Sequence, residues 1–179
     1  MDSNEIMFFK NEITKICKKS KIFFTESELE NMEITDFGLN DFENIGLSII
    51  IYANTHRVCA KELAMLPYQI CPQHIHPKIN NTEGKEETFR CRWGEVYLYV
   101  SGEKQKDLKA KIPEKYKDEF NVFHEIILKP GDQYTLKPET WHWFQAGQNG
   151  AVLSEFSTHS FDAGDIFFDK QIFRKAVDN

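Results

Sequence analysis

Three histidines and one glutamate are spaced as the ligands of a metal ion would be. His74 and His76 lie two residues apart, so on a β-strand both imidazoles point to the same face. Glu87 follows beyond a loop rich in residues that favour turns. If the chain folds back across this loop, His76 and Glu87 face each other in a hairpin, close enough to share one ion.

The remaining ligand positions require a choice between candidates. Glu86 is the alternative to Glu87, but strand alternation would point it to the opposite face. His142 follows turn signatures at residues 130–132 and at Pro138, and we predict it as the fourth ligand. A lone histidine is more often a hydrogen-bonded core residue, so the inference rests on the combination. Three imidazoles and one carboxylate suit Mn²⁺, Fe²⁺, Co²⁺, Ni²⁺ or Zn²⁺.

A second turn is expected to bring another carboxylate to this group. Residues 147–150 (Gly-Gln-Asn-Gly) have the composition of a tight turn. With the turn centred between Gln148 and Asn149, Glu155 lies directly opposite His142 and faces the same interior. A carboxylate in an apolar interior beside a metal is suited to act as a general base. The alternative is that Glu155 only holds His142 in place.

Four further polar residues are candidates for contacts with a substrate. Lys85 and Lys61 lie close in sequence to the predicted site and could stabilise a developing oxyanion. The alternative for both lysines is a solvated surface position. Asp165 and Gln73 are candidates for binding substrate hydroxyl groups.

The elements that must position these residues are mostly short strands. Residues 1–45 are predicted as a mostly helical N-terminal extension, with apolar residues at helical spacing over 3–19. Residues 46–179 are predicted as an all-β jelly-roll barrel, because short strand-like segments recur between Gly and Pro turns. The C-terminal tail is expected to pack on the outside of the barrel. The predicted strands cover residues 47–52, 57–63, 69–76, 87–100, 122–128, 133–136, 142–146 and 151–157.

Bulk composition restricts the partners of the chain. A formal net charge of −6 argues against nucleic acid, which needs a basic surface. The sequence contains no apolar run long enough to span a membrane and no pattern of a secretory signal at its N-terminus. The four cysteines are scattered without CxxC spacing, which is typical of reduced thiols. We therefore predict a cytoplasmic protein.

The proposed ligands form part of a pattern that resembles the two metal motifs of the cupin superfamily. The pattern consists of His74-x-His76, Glu87 and Gly94, followed by residues 130–132, Pro138 and His142. A closer resemblance, over roughly residues 45–170, is to the D-lyxose ketol-isomerases. It is carried by segments 59–63, 71–77, 84–94, 137–144 and 154–158.

The resemblance implies a cupin-type barrel that depends on Mn²⁺ and usually forms a homodimer. It implies interconversion of the monosaccharides D-lyxose and D-xylulose, often with activity on D-mannose and D-fructose. We expect a metal-stabilised enediolate, with Glu155 moving a proton between C2 and C1 and Lys85 assisting proton movement between the two oxygens. A metal-assisted hydride shift remains the alternative.

Three other functions compete with this one. An iron-dependent dioxygenase could use the same three-histidine, one-glutamate set, and a non-catalytic cupin could bind a sugar without turnover. A phosphosugar isomerase is disfavoured, because the sequence has no Gly-rich phosphate loop. Arg90 and Arg92 are also expected to point away from the Glu87 face.

Overall fold

The computed structural model describes residues 1–174, and the last five residues of the predicted barrel range lie outside the described residues. Two α-helices precede the strands: α1 (Ser3–Cys17) and α2 (Glu26–Glu30). Short 3-10 turns occur at Lys18–Ser20, Glu114–Glu119 and Asp162–Gly164. The strands of the described residues are β1 (Glu33–Thr35), β2 (Leu47–Asn54), β3 (Val58–Met65), β4 (Ile70–Ile75), β5 (Glu87–Val100), β6 (His124–Leu128), β7 (Gln133–Leu136), β8 (His142–Thr158) and β9 (Ile166–Phe167).

Strand β8 organises the sheet. It pairs with β3, β4 and β5, and every pairing between the named strands is antiparallel. Its first part lies between β4 and β5, whereas its second part lies between β3 and β5. The sheet therefore curls around an apolar interior, and the all-β prediction is confirmed.

The predicted hairpin turn at residues 147–150 is wrong. Strand β8 continues through this segment, and β5 pairs Gly94 with Ala151 but Val96 with Ala146. Residues 147–150 therefore form a bulge opposite Glu95. Gly94 has φ +76°, and a Cβ atom there would lie 2.1 Å from the carbonyl oxygen of Gly150. The glycines that resembled a turn thus allow two backbones to approach closely at a bend.

The N-terminal extension is more than a helical leader. Helix α1 begins with a capping box between Asp2 and Glu5, as its sequence pattern predicts. Its buried residues Ile13, Ile16 and Cys17 pack against Ile50, Ala64 and Val152 on the outside of the sheet. Residues 31–46 depart from the helical prediction, since β1 pairs with β2 and Phe37 joins the interior core. A domain boundary at residue 45 stays a prediction.

Among residues 1–174, no helix is long and apolar enough to cross a membrane. All four cysteines are free and buried.

The close approach at Gly94 gives a prediction about stability. Gly94→Ala should lower the free energy of unfolding by about 3 kcal/mol or more, because it combines left-handed strain with a backbone clash. Gly131→Ala is the matched control, since Gly131 also has positive φ but its Cβ would meet nothing within 4 Å. The control should cost about 1 kcal/mol. Urea denaturation measures both, and equal losses would contradict the close approach.

Candidate metal centre

The four predicted ligands meet inside the barrel. His74, His76, Glu87 and His142 are all buried, and their ligand atoms lie within 4.8 Å of one another. Glu87 Oε1 lies 3.2 Å from His76 Nε2 and 3.0 Å from His142 Nε2. The rival carboxylate, Glu86, is exposed and is not part of the group. One glutamate oxygen and three imidazoles therefore converge on one point.

The ligands reach this point from separate parts of the sheet. Strands β4 and β8 pair His74 directly with His142. Glu87, at the start of β5, instead pairs with Leu136 and Ser157. The predicted hairpin between His76 and Glu87 is therefore wrong, because β4 does not pair with β5. The curl of the sheet, rather than a local turn, brings Glu87 to the histidines.

Each imidazole has one ring nitrogen fixed by a hydrogen bond. Nδ1 of His74 donates to the Pro72 carbonyl at 2.8 Å, and Nδ1 of His142 donates to the Thr140 carbonyl at 2.9 Å. Nδ1 of His76 is 2.5 Å from a carboxylate oxygen of Asp165. These bonds turn each Nε2 inward, where a metal ion could use the lone pair of the deprotonated ring.

One ring nitrogen supports the fit of the group to a metal ion. His142 Nε2 is buried, and although Glu87 Oε1 lies 3.0 Å away, it makes no hydrogen bond of good geometry among the described residues. A buried polar atom without a partner is costly, and a bound cation would satisfy it. The residues present therefore fit a divalent ion, whose identity the ligand set leaves open.

The electrostatics of the group also favour a cation. Burial, together with His142 and His76, lowers the pKa of His74 well below its usual value. Burial would lower the pKa of His76 too, but Glu87 and Asp165 raise it to about 9. Burial would raise the pKa of Glu87, yet Lys85 and His76 hold it well below its usual range. The group thus combines a firmly ionised carboxylate with a site that attracts positive charge.

Two buried lysines join the metal ligands to Glu155. Lys85 Nζ lies 2.6 Å from Glu87 Oε2 and 2.9 Å from Glu155 Oε1. Lys61 Nζ lies 3.5 Å from the same oxygen of Glu155, and all these side chains are at most 7% exposed. The surface alternative for both lysines is therefore wrong. Glu87 keeps one oxygen for Lys85 and turns the other toward the histidines.

Both lysines remain ammonium groups. Burial by itself would lower the pKa of Lys85, but Glu155 and Glu87 raise it well above its usual value. Glu155 likewise outweighs burial at Lys61 and raises its pKa. Neither lysine is suited to accept a proton, and both can donate hydrogen bonds to oxygens.

The position predicted for Glu155 is wrong, although the residue is inside the barrel. Because residues 147–150 do not form a turn, Glu155 lies further along the same strand as His142 rather than opposite it. It pairs with Phe89 on β5 and with Lys61 on β3. Glu155 contacts the metal ligands through Lys85 instead of beside His142.

The two candidates for hydroxyl binding separate. Asp165 lies in the group, hydrogen-bonded to His76. Gln73 lies outside it, since its Oε1 accepts from the backbone amides of Asn121 and Val122 at 2.8 and 3.2 Å. Strand alternation explains this, because the neighbour of an inward residue points outward. Gln73 anchors the long surface segment instead of facing the ligands.

Sequence reasoning missed two residues of the site, Asp162 and Arg174. Asp162 Oδ1 lies 3.6 Å from Lys61 Nζ, and Arg174 Nη2 lies 2.7 Å from Asp162 Oδ2. Both come from the C-terminal tail, which therefore does more than pack on the outside as predicted. The mixed charged and apolar pattern of the tail carried no signal for these contacts, which depend on the folded chain.

Two cavities meet at the group. A small inner pocket is lined by His74, His76, Glu87 and the buried charges, together with apolar side chains of the core. An outer cavity of about 540 Å³ is lined mainly by loop residues. His76, Lys85 and Asp165 line both, so they form the wall between them. Glu155 lines only the inner pocket.

Known proteins are similar to this sequence over nearly its whole length. The sequence profile described as D-lyxose isomerase matches residues 8–177. The chain belongs to the D-lyxose isomerase family. Within this family of sugar isomerases, the D-lyxose/D-mannose isomerase of Thermosediminibacter oceani is 49% identical over 174 residues, which cover 97% of this chain and 96% of that relative. The D-lyxose ketol-isomerase of Thermofilum sp. is 52% identical over 165 residues, covering 92% of each chain.

Solved structures of other sugar isomerases have the same fold as this chain. The L-ribose isomerase of Cellulomonas parahominis with L-ribose superposes with a TM-score of 0.78. That of Acinetobacter sp. gives 0.77, and both are 14% identical and cover 96% of this chain and 94% of theirs. The fold is a cupin-type jelly-roll β-barrel with an N-terminal extension.

The ligand geometry predicts which of two adjacent glutamates binds the metal. Glu87→Gln should weaken the binding of a divalent ion by at least about 100-fold. Loss of an outer hydrogen-bond partner costs only about 10- to 100-fold, and Glu87 is a ligand itself. Isothermal titration of chelator-treated protein with Co²⁺ measures the effect. Glu86→Gln is the matched control and should bind as the unchanged chain does. Equal binding by both variants would remove Glu87 from the ligand set.

Proposed function

We propose that the chain is a metal-dependent aldose–ketose isomerase that interconverts D-lyxose and D-xylulose and also acts on D-mannose and D-fructose. The observation that carries the proposal is the chain of contacts from the metal ligands through Lys85 to Glu155, inside a member of the D-lyxose isomerase family. The substrates follow from the resemblance and from the names of close relatives.

The proposed metal ligands are His74, His76, Glu87 and His142. We propose Mn²⁺ as the ion in the cell, as the family resemblance implies, with Co²⁺, Fe²⁺, Ni²⁺ and Zn²⁺ as alternatives that suit the same ligands. Such an ion supplies a Lewis acid for the carbonyl and neighbouring hydroxyl oxygens of an open-chain sugar.

The charges of the inner pocket suit a reaction through an enediolate. Four carboxylates, two lysines and one arginine line the pocket, so with neutral imidazoles one negative charge is left over. A divalent ion would turn this into one positive charge, and transfer of the C2 proton to Glu155 would leave two positive charges around the single negative charge of an enediolate. The charged residues are Glu87, Glu155, Asp162, Asp165, Lys61, Lys85 and Arg174.

Glu155 is the proposed base. It is buried between the ammonium groups of Lys61 and Lys85. Glu155 removes the proton from C2 of the aldose and returns it to C1. Lys85 donates hydrogen bonds to the sugar oxygens between which a second proton must move. Because Glu155 lines only the inner pocket, the sugar must reach past Lys85 to meet it.

The proposed contacts with the substrate involve Lys61 and Asp165. Lys61 can donate from its ammonium group to a hydroxyl near Glu155, and Asp165 lies in the wall that an entering sugar meets. Gln73 is left out of this set, because its amide is occupied by the backbone of the surface segment.

A homodimer and a cytoplasmic location complete the proposal. The homodimer comes from the family resemblance, and an exposed apolar strip on adjacent strands supports it. Tyr52, Val58 and Phe156 on this strip are 43%, 53% and 47% exposed. A second copy covering these side chains would bury apolar surface. The four free cysteines support the cytoplasmic location, because thiols stay reduced in that compartment.

Metal removal tests the proposed reaction. Chelator-treated protein should have lost isomerase activity, and Mn²⁺ should restore conversion of D-lyxose to D-xylulose, because the oxygens of the sugar need a Lewis acid. A colorimetric ketose assay with D-lyxose, D-mannose and D-ribose measures turnover and ranks the sugars. If chelator-treated protein without added metal converted D-lyxose as fast as untreated protein does, the proposal would be contradicted.

The ketose assay, combined with measurements of oxygen consumption and of sugar binding, separates the competing functions. A dioxygenase would consume oxygen in its Fe²⁺ form and would stop in a sealed anaerobic vessel, whereas an isomerase continues. A non-catalytic cupin would bind the sugar, as seen by calorimetry, without producing ketose.

The role of Glu155 gives a prediction about the proton. Glu155→Gln should still bind the metal but should lose turnover by at least about 100-fold, because the amide cannot accept the C2 proton. The reaction in D₂O, followed by NMR, should place deuterium at C1 of the ketose made by the unchanged chain.

Two outcomes would revise this role. Normal turnover by Glu155→Gln would reduce Glu155 to a partner of the two lysines. Turnover without any deuterium incorporation would favour a hydride shift. The control is Glu103→Gln, which removes an exposed carboxylate and should leave turnover unchanged.

A further inference from the structure

Arg174 is a buried cation at the end of the described chain. Its side chain is 9% exposed and lines the inner pocket, although no predicted motif includes it. The backbone before it is fixed, since the Phe173 amide donates to the Phe37 carbonyl at 2.9 Å and Ile172 packs against the core. The C-terminal segment therefore delivers a charged group to the site from outside the barrel strands.

The guanidinium joins two carboxylates of one short turn. Arg174 Nη2 lies 2.7 Å from Asp162 Oδ2, and Nη1 lies 3.9 Å from Asp165 Oδ2. These aspartates stand at the start and just after the end of the Asp162–Gly164 turn. Nη2 also lies 3.4 Å from Glu33 Oε1 on β1. A planar group with donors in a fixed fork suits this bridging, which a single ammonium could not reproduce.

Each aspartate turns its other oxygen to a residue of the proposed site. Asp165 Oδ1 lies 2.5 Å from Nδ1 of the ligand His76. Asp162 Oδ1 lies 3.6 Å from Lys61 Nζ, which pairs with Glu155. Rotation of either carboxylate would therefore break its contacts with both partners. By holding the two carboxylates, Arg174 fixes the orientation of Asp165 against His76 and of Asp162 against Lys61.

Resting on the proposed metal site, we propose that Arg174 is a positioning residue that orients Asp165 against His76 and thereby sets the cation affinity of the site. The hydrogen bond from His76 to Asp165 holds the ring with Nε2 toward the other ligands. Without the fork, the two aspartates of the turn would repel each other and Asp165 would lose its fixed rotamer. The C-terminal segment and β1 would then act on the metal through this one side chain.

The charge-conserving variant Arg174→Lys isolates orientation from charge. Loss of a positive charge would by itself favour cation binding, so a neutral substitution would mix two opposing effects. Arg174→Lys should raise the dissociation constant for Co²⁺ about 10-fold, the range typical for loss of a partner that orients a ligand. Titration of chelator-treated protein, followed by the visible spectrum of Co²⁺, measures it. The matched control is Arg90→Lys. The Arg90 side chain donates a hydrogen bond to Gln133 on the outer face, so this variant should bind Co²⁺ normally.

A double variant shows whether the effect passes through Asp165. Asp165→Asn should weaken Co²⁺ binding on its own, and adding Arg174→Lys should produce no further loss, because both act on the same contact. Additive losses would overturn the proposed route. Lower thermal stability of Arg174→Lys with unchanged Co²⁺ affinity would also overturn it, since Arg174 would then only fasten the tail.

The remaining outcomes are separable. If Arg174→Lys does not fold, Asp162→Glu replaces it. This variant keeps the charge but displaces the carboxylate that holds the guanidinium, and Asp162 contacts no proposed metal ligand among residues 1–174. Asp162→Glu should weaken Co²⁺ binding several-fold, and unchanged affinity would overturn the inference. Failure of the unchanged chain to bind Co²⁺ would instead overturn the proposed metal site.

Discussion

Compensation of buried charge governs the interior of this protein. Four acidic and three basic side chains surround the small inner pocket, and each lies within ion-pair distance of a group of the opposite kind. Removing one partner from a buried pair leaves an uncompensated charge and costs about 3–5 kcal/mol. The network therefore holds every member in one place. It also explains why strand β3, the turn after β8 and the C-terminal segment all converge on the same end of the barrel.

This compensation fixes the ligand carboxylate as well. Lys85 occupies one oxygen of Glu87 at 2.6 Å, so only the other oxygen faces the histidines. The three imidazoles are held in the complementary way, each through Nδ1, which turns Nε2 toward the other ligand atoms. Ligand atoms are thus oriented before any ion arrives, and little conformational entropy remains to be lost on binding.

The sequence allowed the metal ligands to be predicted but not the contacts that support them. The His74–His76 pair depends only on strand alternation, which is local, so its shared face could be derived from the sequence. Glu155 was expected inside the barrel and lies there, but the predicted turn that placed it opposite His142 does not exist. Strand alternation also argued against Gln73, which lies beside the inward-facing His74 and points outward.

The residues that sequence reasoning missed are those brought in by tertiary structure. Arg174 comes from a tail without strand or helix periodicity, and its partner Glu33 lies at the other end of the chain. No local pattern could indicate that these two meet. Gly150 shows the same limit, because the composition of residues 147–150 suggests a turn, whereas Gly150 makes a close contact with Gly94 on another long strand.

The position of Lys85 connects the two cavities with the proposed chemistry. It lies in the wall that an entering sugar meets and contacts both Glu87 and Glu155. In the proposed reaction Glu155 takes a proton from carbon, and its negative charge passes to the oxygens of the sugar. Before this step Lys85 is an ammonium group, because Glu155 and Glu87 raise its pKa well above the usual value despite its burial. The cation that compensated the base is then already beside the new anion, and no charged side chain has to move far in a pocket of low dielectric.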